Sequence, residues 1–336
     1  MEKVLVTGAA GFIGSHVAEA LGRSGYDVVA LDDLSGGFTE NVPQGTTFVK
    51  GSVTDHSLID SLFAQHHFSY IFHLAAYAAE GLSHFIKRFN YENNLIGSVN
   101  LINASVNSGS VKCFVFTSSI AVYGRNQVPM VETLVPQPED PYGIAKYAVE
   151  QDLHEARAMF GLNYVIFRPH NVYGERQNIG DPYRNVIGIF MRQILQGKPL
   201  TIFGDGKQMR AFSYIDDVAP IIAASIERPE AWNEVYNIGA DQPWTVSDLA
   251  HHVCRALNQM EPNILHAETR NEVQIAYSNH DKVKRLFGDL IRNVPLDVGI
   301  NKMASWVKQN EIRPGQCFKK IEVAKNMPPM WQQLTQ

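Results

Sequence analysis

Short continuous apolar runs alternate with longer amphipathic stretches through the first half of the chain. The runs at 3–7 (KVLVT), 27–32 (DVVALD), 46–49 (TTFV), 69–73 (SYIFH), 112–116 (KCFVF) and 162–168 (LNYVIFR) are apolar throughout their centres. Strands covered on both faces of a parallel sheet have that pattern. Between them the period predicts helices from about Phe12 onward, at 57–66, at 84–108 and over 141–161. The last is opened by Pro141 at a first-turn position and ended by Gly161. Such alternation predicts a doubly wound α/β sheet. Beyond residue 170 regularity falls. Helices are expected at 183–196, 216–227, 245–258 and 297–308, with strands at 200–203 and 235–239. Thr245-Val-Ser-Asp248 reads as a capping box. The expected division is a doubly wound domain over 1–170, with 211–240 packing back on it, and a smaller mixed α/β lobe over 171–336. No repeat or flexible linker separates the two. The final KKIEVAKNMPPMWQQ has no usable period.

Composition narrows the class. The 336 residues are 45% hydrophobic and 19% charged, with a net charge of −5, which is an ordinary globular balance. It argues against a broad surface for nucleic acid or anionic lipid. The chain enters a strand at MEKVLVTGAAG, so no signal peptide is expected. No apolar run reaches the length of about 18 residues that a span requires. Cys113, Cys254 and Cys317 lie far apart without metal spacing, and read as free thiols in a reducing compartment. The expected location is cytoplasmic. The histidine pairs 66–67 and 251–252 lack a HExxH pattern, and no metal is expected.

Candidate chemistry begins at Gly8-Ala-Ala-Gly11-Phe-Ile-Gly14, between the first strand and its helix. Glycines there permit a tight turn, close approach of a pyrophosphate and close helix packing, and the helix N-terminus favours negative charge. The second strand ends at Asp32, 18 positions after Gly14. An acid there accepts hydrogen bonds from an adenosine ribose and repels a 2′-phosphate, favouring NAD over NADP. Strand 69–73 runs into His73-Leu-Ala-Ala76 and strand 112–116 into Thr117-Ser-Ser-Ile-Ala-Val-Tyr-Gly124, so both turns face the ligand crevice at the carboxyl ends of the strands. Tyr142 and Lys146, four apart, share a helix face. The lysine charge is expected to lower the phenol pKa and make Tyr142 a general base.

TGAAGFIGS at 7–15, LDDLSGG at 31–37, HLAA at 73–76, Asn94 of NNLIGS, SSIAVYG at 118–124, YGIAK at 142–146, RPHNVYG at 168–174 and IFGDGKQMRAFSYIDDV at 202–218 form a specific set. On them the chain resembles the extended short-chain dehydrogenase/reductases, nearest to the nucleotide-sugar epimerases of UDP-glucose 4-epimerase type. The resemblance implies a Rossmann-type doubly wound sheet, resident NAD and C4 epimerisation of a UDP-sugar through a transient 4-keto sugar. UDP-glucose, UDP-N-acetylglucosamine and UDP-glucuronate are the candidate substrates. Tyr142, Lys146 and Ser119 would be catalytic. It places Gly8, Gly11, Phe12, Ile13, Gly14, Asp32, Asp33, Ser35, Gly36, Ser52, Val53, Leu74, Ala75, Ala76, Asn94, Thr117, Tyr142, Lys146, His170 and Val172 at the cofactor. It places Ser119, Ile120, Tyr142, Asn171, Val186, Thr201, Phe203, Arg210, Arg270 and Glu80 at the substrate, the two arginines on its diphosphate.

Departures from the family pattern carry information. Ile120 and Ala121 stand where dehydrating or decarboxylating members carry an acid, which favours simple epimerisation. Ser52 replaces a usual Asp near the adenine, His170 an aromatic of the RYFN pattern, and Glu80 is an unusual charge near the sugar. Ala276 falls where bulk limits the pocket, so its small size suggests room for an N-acetyl group. The alternatives are a 4,6-dehydratase or reductase, with Glu80 as its acid, and a non-catalytic NAD-binding regulator. Family members dimerise through two helices, matching 84–108 and 142–160. Phe85, Phe89, Leu95 and Val99 fit that interface and fit packing on the sheet equally.

Overall fold

Successive side chains of each central strand enter opposite apolar cores. In the computed structural model, which describes residues 1–125, 127–269, 273–313, 318 and 320–334, β1 (Lys3–Thr7) sends Val4 and Val6 to one core and Leu5 to the other. β2 (Asp27–Asp32) divides the same way, with Val28 and Ala30 opposed to Val29 and Leu31. Burial on both faces is why these strands read as unbroken apolar runs. β3 (Thr47–Lys50), β4 (Phe68–His73), β5 (Cys113–Thr117) and β6 (Tyr164–Pro169) complete a parallel array in the order β6-β5-β4-β1-β2-β3. From β1 the chain goes first to β2 on one side and later to β4 on the other. The crevice at that reversal is where ligands bind in doubly wound sheets.

Helices cover both faces. α1 (Phe12–Arg23) lies on one. α2 (His56–Gln65), α5 (Gly97–Ser108) and α6 (Pro141–Phe160) lie on the other, burying Ile59, Leu101, Val149 and Leu153. The helix expected at 84–108 is broken. α3 (Glu80–Ser83) and α4 (Lys87–Tyr91) precede a π turn at Glu92–Ile96, which leads into α5. The turn buries Asn94, whose side chain bonds Asn90 Oδ1 and both polar atoms of the Tyr77 backbone instead of leaving the helix period undisturbed. α6 has the expected bounds. Asp140 caps it by accepting from Gly143 N at 2.9 Å, and Gly161, at φ 77°, ends it in the left-handed region.

The second half is more fragmented than its period suggests. β7 (Val172–Tyr173), α7 (Val186–Leu195), β8 (Leu200–Phe203), β9 (Met209–Ala211) and β10 (Ser213–Tyr214) lead to α8 (Ala219–Ala224). α7 begins three residues later than expected, because Asn185 adopts φ 54° and caps Ile187 N. α8 is shorter than 216–227, since Asp217 spends its carboxylate on Arg292, Asn293 and Val294 N–H groups instead of on a helix start. β11 (Glu234–Ile238) then joins the central sheet beside β6. β12 (Pro243–Thr245) and α9 (Val246–Ala256) follow, with Thr245 accepting from Asp248 N and donating to its carboxylate. β13 (Ile264–Ala267), β14 (Ile275–Ala276), α10 (Asp281–Phe287), α11 (Leu296–Gln309) and α12 (Pro329–Leu334) complete the chain. One apolar cluster runs from Val4 and Val17 through Phe190 and Leu249 to Met303. Cys113 and Cys254 are buried free thiols, and Cys317 lies outside the described residues. Among the described residues no helix is long and apolar enough to cross a membrane.

Candidate active site

A cavity of about 2060 Å³ opens along the carboxyl ends of β1, β4 and β5 and continues between α7 and β8. It exceeds the roughly 300–1,000 Å³ that holds one small ligand, and has room for two. Gly8, Gly11, Phe12, Ile13 and Gly14 line its first part. A Cβ on Gly14 would stand 2.0 Å from Gly8 O, so α1 packs against the turn only through glycine. No side chain caps the N-terminus of α1. Asp32 is buried, accepting from Ala10 N at 3.0 Å and Leu34 N at 2.7 Å, and burial raises its carboxyl above the ordinary range. Asp33, Ser35, Gly36, Ser52, Val53, Leu74, Ala75 and Ala76 lie on the same wall. His73 supports it from behind, held between Thr7 Oγ1 and Ser98 Oγ at 2.8 Å each.

The reactive groups meet where β5 ends and α6 begins. Ser119 caps the turn Ile120–Tyr123 by accepting from Ala121 N at 3.1 Å, and its side chain is near enough to the Tyr142 phenol to lower its pKa. Ser118 Oγ, on the same wall, is buried without a partner. Lys146 is 1% exposed; its Nζ donates to Thr117 O at 2.8 Å and sits 5.8 Å from the Tyr142 ring centre. Here the structure corrects the expectation from sequence. Burial pushes the phenol pKa up, Glu80 adds to the rise, and Ser119 and Arg184 oppose it. Burial lowers the ammonium of Lys146 to about 7, against the pull of Glu150. In this surrounding, desolvation outweighs the charge of the neighbour.

The other half of the cavity comes from the C-terminal part of the chain. Asn171, Val172, Val186, Thr201, Phe203 and Arg210 line it, as do Ile120 and Glu80 nearer Tyr142. Asn171 holds φ 40° and donates to Ala211 O at 3.0 Å. Arg210 donates to Met209 O at 2.8 Å and Gln274 O at 3.0 Å, and to Val273 O, so backbone carbonyls orient its guanidinium. Ala276, opposite Arg210 in the β9–β14 ladder, is also on the wall. Arg270 lies outside the described residues.

Two expected cofactor residues are not on the wall. Asn94 is buried behind it, and its bonds to Tyr77 hold that residue, not a ligand, at the cavity. His170 points into the interior. Its Nδ1 donates to Ala211 O at 3.1 Å, which leaves Nε2 to accept from His280 at 3.0 Å. Its two chain neighbours face the cavity instead. Sequence reading missed Arg184, Arg192 and Trp331. Arg192 follows Val186 and Ile189 at helical spacing on one face of α7, a register that was there to be read. Arg184 stacks 5.0 Å over Tyr77 and pairs with Asp181 at 2.8 Å. Trp331 had no periodic signal.

Known proteins are similar to this chain in sequence and fold. The UDP-glucose 4-epimerase of Thermotoga maritima, solved with UDP-glucose, is 35% identical with a TM-score of 0.85, covering 91% of this chain and 99% of that one. The UDP-glucuronic acid 4-epimerase of Bacillus cereus, solved with UDP-glucuronic acid and NAD, is 29% identical with a TM-score of 0.82 over the same shares. The UDP-glucose 4-epimerase of Mycolicibacterium smegmatis is 31% identical over 294 residues, 85% of this chain and 92% of that protein. The family model of NAD dependent epimerases and dehydratases matches residues 4–239, and the chain therefore belongs to the NAD dependent epimerase/dehydratase family.

Proposed function

We propose that the protein epimerises a UDP-sugar at C4 through a transient 4-keto sugar, using resident NAD. The observation that carries this is the meeting of Ser119, Tyr142 and Lys146 on the wall between the glycine-rich half of the cavity and the half bearing Asn171 and Arg210. The chain fits the cofactor: the α1 N-terminus lacks a side-chain cap, Asp32 ends β2, and Ser118 Oγ is a buried, unpartnered group on the wall. Bound at this wall, oxidised NAD would supply the reversible acceptor for the C4 hydride, and its positive charge would favour the phenolate of Tyr142.

Tyr142 takes the proton of the sugar O4 and gives it back after the sugar has turned. Ser119 bonds that oxygen and keeps it aligned with the phenol. Lys146, whose Nζ is fixed by Thr117 O, would hold the nicotinamide ribose. Arg210, oriented by three carbonyls, takes the diphosphate that tethers the sugar while it turns. Ile120 and Ala121 offer no acid for elimination, which favours epimerisation over dehydration. The test is incubation of purified protein with UDP-glucose, UDP-N-acetylglucosamine and UDP-glucuronate, with C4 epimers resolved by NMR. One or more should epimerise, and Tyr142→Phe should keep its NAD while losing turnover by about 10²-fold or more. Absence of any epimer with NAD present would sink the reading.

A homodimer through α5 and α6 belongs to the same proposal. Phe85 and Phe89 are covered by the C-terminal segment, and Leu95 packs toward the sheet. Ile96 and Ile144, 49% and 43% exposed, remain for a second copy.

A further inference from the structure

The C-terminal segment packs against the cavity. Phe318 stands edge-on to Phe89, with centroids 4.6 Å apart. The N–H of Glu322 donates to Phe85 O at 2.8 Å, and its carboxylate accepts from Arg88 N and Phe89 N at 2.8 and 3.0 Å, tying the segment to the start of α4. Trp331 follows, 4% exposed. It lies edge-on to Phe85 at 6.2 Å and to Tyr183 at 5.5 Å, and a Cβ on Gly81 would come within 3.0 Å of its ring. Gly81 and Phe85 belong to the chain after β4, and Tyr183 to the loop ahead of α7. One indole thus closes the gap between two separate walls, and lines the cavity they enclose.

Both walls bear on Tyr142. Ser83 Oγ accepts from Tyr142 N at 3.3 Å and donates to Glu80 O at 2.6 Å, linking α3 to the start of α6. Glu80 and Arg184, each adjacent in the chain to a residue that Trp331 touches, act on the phenol with opposite signs. α3 is only four residues long. A helix that short has no stability of its own and takes its position from its packing.

We propose that Trp331 is a positioning residue for the sugar end of the cavity: seated between Gly81 and Tyr183, it holds α3 and the loop before α7 at the spacing a nucleotide-linked hexose needs beside Tyr142. This rests on the epimerase reading above. A rigid indole contributes much contact area at little rotamer cost, which suits it to fix a gap.

The test compares wild type, Trp331→Ala and Trp331→Phe, each carrying NAD. Steady-state constants are measured with the UDP-sugar that wild type prefers. Binding of that UDP-sugar and of UDP is measured by calorimetry in a Tyr142→Phe background, where no turnover interferes. Trp331→Ala should raise KM and weaken UDP-sugar binding about ten-fold or more, while UDP, which lacks the sugar, changes less than about three-fold. Trp331→Phe should recover most of the loss, and NAD content should not change. Gly81→Ala, which keeps the indole but pushes a methyl group against it, should reproduce the KM rise and keeps the question answerable if Trp331→Ala does not fold. Equal losses for UDP and UDP-sugar, or unchanged UDP-sugar binding, would overturn the role of Trp331 alone. A wild type that neither converts nor binds any of the three UDP-sugars would overturn the epimerase reading, and this role with it.

Discussion

Tyr142 shows how a residue's neighbours override its sequence spacing. The i, i+4 relation to Lys146 is real, but the ammonium is committed to Thr117 O and burial lowers its pKa to about 7. The phenol answers to desolvation first and to Glu80 second. Glu80 raises the phenol pKa, so Glu80→Gln should lower it and make the base form available at lower pH. The acid limb of the kcat profile should therefore move to lower pH, and Arg184→Gln should move it the other way. Superimposable limbs in all three proteins would remove Glu80 and Arg184 from the control of the base. Arg184 did not stand out by chemistry alone, since an arginine before a helix is ordinary on a surface, whereas Glu80 after HLAAYAA was already an unusual charge near the sugar.

At the scale of elements, α6 is positioned by more than its ends. Pro141, the Asp140 cap and Gly161 set its length, and these were readable because capping is local. Its placement against the sheet depends on Glu150, 1% exposed, which receives Arg168 of β6 through two bonds at 3.0 and 2.5 Å. Arg168 also reaches Tyr123 Oη at 2.8 Å. Removing one partner leaves an uncompensated buried charge, so Arg168→Met should cost about 3–5 kcal/mol in denaturant unfolding, and Arg168→Met with Glu150→Met less than that. If the double variant is the less stable of the two, the pair contributes attraction beyond mutual neutralisation. Elsewhere local signals failed for local reasons. The π turn around Asn94 and the carboxylate of Asp217, drawn to the 292–294 backbone, each interrupt a helix that its period alone would continue.

For the whole molecule, the exposed Ile96 and Ile144 give a prediction about assembly. Ile144→Asp should convert a dimer to a monomer in light scattering while leaving NAD bound, because a charge at the centre of an apolar interface is left desolvated and unpaired. A wild type that is monomeric, or a variant that stays dimeric, would exclude this face.

The sequence by itself determined the strand–helix alternation, the glycine turn on which α1 packs, Asp32 at the end of β2, and the turn carrying Ser119. Each of these is written in consecutive residues, as a period, a cap or a close approach that only glycine allows. Tertiary structure alone decided that His170 faces His280 instead of the cavity, that Asn94 serves Tyr77, and that Trp331 meets Gly81 some 250 positions earlier in the chain. It also decided the charge balance at Tyr142. Burial and long-range contacts set these outcomes, and desolvation depends on everything that surrounds a group, which no local spacing encodes.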